Sequence, residues 1–202
     1  MVSARIYVEG GGDSKDGRIR CREGFCRLLE NMGFKGRMPR LKACGGRGAA
    51  YDDFRIAYEK SSAEDYIGLL VDSEDPVSNI HAPWQHLRWR AEDGWGKPLN
   101  AKDDQVLLMT TCMETWILAD RNALREHFGP HLETSALPSL QALEQRERSA
   151  MLAALKNATR HCPGPYGKGP KSFDVLGKIN PYVLAENLPS FKRVRRILDA
   201  RL

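Results

Sequence analysis

Tyr66-Ile-Gly-Leu-Leu-Val-Asp72-Ser73-Glu74-Asp75 is apolar up to Val71 and acidic at Asp72, Glu74 and Asp75. A short apolar run that stops at a charge reads as a strand of a parallel sheet, buried on both faces. Such a strand delivers its last side chain to the carboxyl edge of the sheet. Open α/β sheets bind their ligands at that edge. Arg5-Ile-Tyr-Val-Glu9-Gly10-Gly11-Gly12-Asp13 repeats the pattern, with a carboxylate set directly before glycines. Carboxylates gathered at one edge repel one another and call for a cation between them. When every ligand is oxygen, that cation is Mg²⁺ or its surrogate Mn²⁺. The two stretches together imply a metal-dependent site acting on phosphate esters.

Working outward, the pattern alternates strand and helix. We expect strands at about 4–9, 39–44, 66–72 and 105–110. Helices are expected at about 17–33, with Gly33 as a stop signal, and at 48–61, 112–127, 138–160, 171–179 and 188–201. The β-α-β-α-β order of the first part implies a parallel sheet with crossover helices. Residues 75–103, rich in Trp, Pro, Gly and Asp, read as an irregular insertion or mobile loop beside the site. The expected class is α/β, a Rossmann-like, mostly parallel sheet flanked by helices. Residues 1–130 would form the metal-binding core, and 131–202 a helical C-terminal extension.

A chain of 202 residues is long enough to bury a substantial core. Its net charge of +5 favours polyanions, nucleic acid first. The cations are uneven: Arg18 to Arg47 and Lys192 to Arg201 are rich in them, whereas the candidate site is acidic. The cysteines Cys21, Cys26, Cys44, Cys112 and Cys162 lie singly, without a C-x-x-C pair. Their odd number, with no leader-like segment and no apolar run of membrane-spanning length, leads us to expect a reduced, cytoplasmic setting and no membrane. The five histidines have neither H-E-x-x-H spacing nor zinc-like partners. Trp84, Trp89 and Trp95 suit either base stacking or packing beneath the long loop.

The candidate site residues follow from these positions. Gly10, Gly11 and Gly12 leave room for a phosphate or metal to approach the backbone. Asp13 either returns to the ion bound by Glu9 or caps the next helix. Asp72 and Glu74, two apart on an extended segment, point the same way and can share an ion, with Asp75 behind them. Glu114, in the first turn after the last strand, either joins them or complements the helix dipole. Asp120, six residues on, is expected at the surface or in a salt bridge. In Tyr166-Gly-Lys168-Gly-Pro-Lys171-Ser172-Phe173 the phosphate-loop pattern starting at Gly164 fails, because Pro170 takes the lysine position. Lys168 or Lys171 remains free to neutralise a scissile phosphate, or is an ordinary loop lysine.

Glu9-Gly-x-x-Asp13 after the first strand, Asp72-x-acid after the third and Met113-Glu114-x-Trp116 resemble the TOPRIM fold of topoisomerases, bacterial primases and OLD-type nucleases. The segments Val8 to Asp13, Ala43 to Tyr51, Leu70 to Asp75, Cys112 to Asp120 and Lys168 to Phe173 resemble an uncharacterised prokaryotic TOPRIM-related family, domain of unknown function 4276. The resemblance implies Glu9 as metal ligand or acid/base, and Asp72 and Glu74 as Mg²⁺ ligands, with Glu replacing the usual second Asp. It further implies Asp13 as an added acid, Glu114 as a more loosely matched helix Glu, and Lys168 or Lys171 as the distal lysine. Such relatives often work in phage defence beside an ABC- or AAA-type ATPase. No ATP-binding motif occurs here, so an ATPase would be a separate protein. The expectation is therefore a Mg²⁺-dependent nuclease cutting DNA or RNA, with a homo-oligomer among its expected assemblies and with Glu9, Asp72 and Lys168 or Lys171 catalytic. The alternatives are a non-catalytic nucleic-acid-binding or regulatory subunit, and a metal-dependent phosphatase of small molecules. The last is weakened because Asp72-Ser73-Glu74 lacks the second Asp and the Thr of the D-x-D-x-[TV] signature.

Overall fold

The computed structural model describes residues 4–202. Four strands, β1 (Ala4–Gly11), β2 (Arg40–Gly45), β3 (Tyr66–Asp72) and β4 (Val106–Met109), form one parallel sheet in the order β2-β1-β3-β4. The class is α/β and Rossmann-like, with helices on both faces and a helical C-terminus. The two central strands β1 and β3 carry the acidic ends, Val8 lies level with Leu70, and Asp72 lies level with Met109.

Strand alternation divides the core in two. Ile6, Val8, Leu41, Leu70, Leu107 and Met109 face one side, under α1 (Lys15–Leu29), α4 (Met113–Ala119), α7 (Pro170–Leu176) and α9 (Pro189–Arg201). Tyr7, Ile67, Leu69, Val71 and Leu108 face the other, under α2 (Arg47–Glu59) and α3 (Pro83–Trp89). All of β3 is buried, as its unbroken apolar run requires. The C-terminal helices thus share a core with α1 and the sheet. Trp116 of α4 meets Phe191 of α9 edge-on at 4.8 Å, a geometry that aromatic quadrupoles favour.

The structure corrects several helix expectations. Residues 75–103 are not wholly irregular, for α3 lies within them; Trp84 and Trp95 are buried, and only Trp89 stands out in solvent. The helix expected at 112–127 breaks into α4 and α5 (Arg121–Phe128) at Asp120. Asp120 is buried rather than superficial. One of its oxygens accepts from the N–H groups of Asn122 and Ala123, both at 3.1 Å, and the other from Asn180 N–H at 2.8 Å. The helix expected at 138–160 shrinks to α6 (Arg148–Ala158). Before it, Glu144 is buried and accepts from the hydroxyl and the N–H of Ser190, and that long-range anchor overrides local helix preference. The helix expected at 188–201 is α9, and an unexpected helix, α8 (Pro181–Asn187), precedes it; each is opened by a proline in its first turn. Within the basic tail, Arg193 is buried, donating to the carbonyls of Val106 at 2.8 Å and Asp103 at 2.7 Å, so it anchors α9 to β4.

Asp120→Ala removes the cap of α5 and orphans the Asn180 N–H. We expect a loss of about 2 kcal/mol in urea unfolding. A loss under a few tenths, the size of an ordinary surface change, would contradict the role assigned to this carboxylate.

All five cysteines are free thiols, and only Cys26 is not buried. Among the described residues, no helix is long and apolar enough to cross a membrane.

Candidate functional site

Glu9 comes from the end of β1 and Asp72 from the end of β3, and the pairing of these strands brings the two together. The Glu9 carboxylate accepts from the Asp72 N–H at 3.1 Å. Asp72 does not share an extended strand with Glu74. The strand stops at Asp72, and Glu74 lies in a bend with φ of 68°. The bend nevertheless returns its carboxylate to the same place. Oxygens of Glu9, Asp72 and Glu74 all lie within 4.8 Å of one another.

Each carboxylate is held by a fixed donor or cation. Asp72 Oδ1 accepts from Met113 N–H, at the N-terminus of α4, at 2.9 Å. Glu74 is ion-paired closely with Arg148, which also stands 3.8 Å from Asp72. Arg47 lies 3.5 Å from Glu9, donates to the Asp72 carbonyl, and is itself fixed by Asp93 at 2.7 Å and by the Trp95 ring 4.5 Å away. Burial lifts the Glu9 carboxyl above its ordinary 4.5, against the pull of Arg47. Burial lifts Asp72 well above its ordinary 3.8, and Glu9 and Glu114 lift it further, opposed by Lys168 and Arg148.

The cluster opens into a cleft of about 460 Å³. Asp13, Glu114 and Lys168 line it, along with Met113 and Phe173. Glu114, only 1% exposed, accepts from the Tyr166 hydroxyl at 2.9 Å. Burial, then the Glu114 charge, pushes the Tyr166 hydroxyl far above its ordinary range, so it remains a donor. Burial and the same acids push the Cys112 thiol up to about 12, which leaves it an inert packing residue. Gly10, Gly11 and Gly12 line the cleft too, but their roles differ. A side chain on Gly11 would stand 2.7 Å from the Arg18 Cα and one on Gly10 2.9 Å from the Cys21 sulfur, whereas Gly12 faces open space. Ser14, not Asp13, caps α1, through its hydroxyl to Gly17 N–H at 3.0 Å. Lys171 is exposed in the first turn of α7 and does not line the cleft. Asp75 turns away to Arg90.

Three residues of the site escaped the sequence reading. Arg47 follows Gly45-Gly46 just past β2, so the strand-end rule that picked out the acids also applies to it. Tyr166 lies in a segment read only for its lysines. Arg148 had no local signal, standing 74 residues from the Glu74 it pairs with.

The family model for "Domain of unknown function (DUF4276)" matches residues 8–199. The chain belongs to this family. No curated protein and no solved structure matches it. The DUF4276 match covers both acidic strand ends, both site arginines and the Tyr166 to Phe173 wall, so the whole cleft falls inside the family domain.

Proposed function

We propose that the chain is a TOPRIM-like, divalent-metal-dependent hydrolase of phosphodiester bonds in nucleic acid. The observation that carries this reading is the convergence of Glu9, Asp72 and Glu74 within 4.8 Å, from two strand ends and the bend after β3, at the carboxyl edge of the sheet. The donor set fits Mg²⁺ or Mn²⁺: it is all carboxylate, and Asp72 is buried where an unbalanced charge is costly. Glu9, Asp72, Glu74 and Glu114 face Arg47, Arg148 and Lys168, so the cleft is short of positive charge even before Asp13 is counted.

Glu9, Asp72 and Glu74 would hold the ion, while Asp13 and Glu114 line the cleft outside that converging set. When bound, the ion supplies charge neutralisation at the phosphoryl group. Lys168, at the rim, offsets the charge that grows on the phosphoryl oxygens. Tyr166 orients Glu114 by its hydrogen bond, and Phe173, Met109 and Met113 limit water on the apolar side. A separate ATPase and a part in phage defence extend the proposal through the OLD-type resemblance alone, a cytoplasmic setting extends it through the unpaired cysteines, and self-association is part of the same proposal.

One observation favours a second reading. Arg148 already neutralises Glu74, and Arg47 stands against Glu9, as in a purely structural ion network. On that reading the chain binds nucleic acid without turnover. Assays with plasmid DNA, RNA and para-nitrophenyl phosphate, in millimolar Mg²⁺ or Mn²⁺, separate these cases from a small-molecule phosphatase. We expect nucleic-acid cleavage that falls about 10²–10⁴-fold in Glu9→Gln. In calorimetric titration, Arg148→Ala, which frees Glu74, is expected to bind Mn²⁺ several-fold tighter than wild type. A wild type that binds no Mn²⁺ at millimolar concentration sinks the hydrolase.

A further inference from the structure

β2 is an edge strand, and along its open side lies a trough of about 800 Å³ that none of the roles above uses. Lys15, Arg18 and Arg22 line it from α1, and Arg5, Arg40 and Lys42 from β1 and β2. The first three recur at helical spacing, so they form a row along one face of α1. On the sheet, Arg5 lies directly beside Arg40 in the β1–β2 register. Like charges at neighbouring ladder positions lower stability, so packing alone gives no reason for the pair. Edge strands do carry cations to deter aggregation, which accounts for Arg40 and Lys42 but not for the row on α1. Among the described residues, only Lys42 of these six meets a carboxylate, Asp53 at 2.8 Å, while Arg18 donates to the Gly12 carbonyl at 3.2 Å. Arg5, Lys15, Arg22 and Arg40 are exposed and unpaired there.

Among the described residues the trough has one acid, Asp13, and Asp13 is also a wall of the catalytic cleft. The basic track therefore runs to the carboxylate cluster, and its field falls from positive to negative toward that end. An occupant must present a row of anions outside the cleft and carry one of them up to it. Single-stranded nucleic acid is held largely by stacking on aromatic side chains. Among the described residues the one aromatic in the lining, Tyr7, is 8% exposed, with Lys42 over its ring. A duplex instead offers its phosphates outward and needs cations alone. These cations only donate, so none of them accepts from a 2′-hydroxyl, and their strongest partners are charged phosphate oxygens.

We propose that the trough between α1 and the β2 edge seats the phosphate backbone of duplex DNA and leads one strand to the Glu9–Asp72–Glu74 cleft. This rests on reading the cleft as acting on phosphodiesters. The binding is sequence-independent and salt-sensitive.

Fluorescence anisotropy with a labelled DNA duplex, in EDTA, tests it on the full chain. Arg22→Ala/Arg40→Ala is expected to weaken binding about tenfold or more at low salt and to reduce the slope of log K against log salt by about 2. Its melting temperature and its turnover of bis(para-nitrophenyl) phosphate stay as in wild type. Glu9→Gln loses that turnover yet binds the duplex undiminished. Single-stranded DNA and duplex RNA compete no better than duplex DNA. Unchanged duplex affinity and salt slope in the double variant overturn the trough, as does stronger competition by single strands or RNA. If the double variant loses binding but the wild type hydrolyses no phosphodiester, the trough stands and the hydrolase falls.

Discussion

Asp72→Asn is expected to raise the melting temperature of the metal-free protein near pH 8 while abolishing metal-dependent turnover. The two effects have one origin. Asp72 is enclosed by Glu9 and Glu114, and burial holds its carboxyl well above the ordinary 3.8. The folded state therefore binds this proton more tightly than the unfolded chain does. By linkage, stability is greatest below the ordinary value, falls as pH rises through the window between it and the raised folded value, and stays lowered above that window. Glu9, lifted from 4.5, acts in the same direction. Asparagine removes the charge and keeps an oxygen to accept the Met113 N–H. We expect a gain of about 1–2 kcal/mol near pH 8, or about 2–8 °C for a chain of this size. The variant's melting temperature, followed in EDTA from acid to alkaline pH, should vary less than that of wild type. Adding Mn²⁺ should then stabilise the wild type and leave the variant unmoved. A lower melting temperature for Asp72→Asn near pH 8 would mean that Arg47, Arg148 and Lys168 already outweigh the burial, and the need for a metal would vanish with it.

The same local signal explains what could be read from the residues and what could not. A parallel strand covered on both faces is an apolar run closed by a charge or a glycine. The expected third strand accordingly coincides with β3, and the others fall within two residues of β1, β2 and β4. Glu9 and Asp72 met because the strands that carry them pair, and the signal lay within each segment. Glu74 reached the cluster by a bend that no alternation rule describes. The second half of the chain was harder because its shape is set across long sequence distances. Asp120 caps α5 and receives the Asn180 N–H, and Glu144 holds Ser190. A window of local sequence sees neither partner, so the expected helices at 112–127 and 138–160 ran through the points where these carboxylates break them. Arg148 was invisible for the same reason. Its position matters only once α6 has been carried back over the end of β3.

Gly24→Ala tests how tightly the C-terminal helices control the cleft. In an open helix, alanine is better than glycine by about 1 kcal/mol. Gly24 has no such freedom, because α1 lies against α7 there. A Cβ would stand 2.6 Å from the Phe173 carbonyl oxygen and 2.9 Å from the Phe173 Cβ. The first obstacle is backbone, so no rotamer change relieves it and α7 must shift. Phe173 also packs over Gly10, with a side chain there meeting its ring at 3.2 Å, and forms part of the cleft wall beside Lys168. Moving α7 therefore moves the wall facing the carboxylates. We expect a net destabilisation of about 2–3 kcal/mol and a fall in melting temperature of about 5–10 °C. Duplex affinity should persist, since the α1–β2 trough lies elsewhere, and turnover should fall with the displaced lysine. Gly48→Ala on α2 is the control. Nothing lies within 4 Å of its added Cβ, so it should show only the gain in helix propensity. If Gly24→Ala stabilises the protein as Gly48→Ala does, α1 and α7 do not approach this closely, and the lysine-bearing wall is not set by their contact.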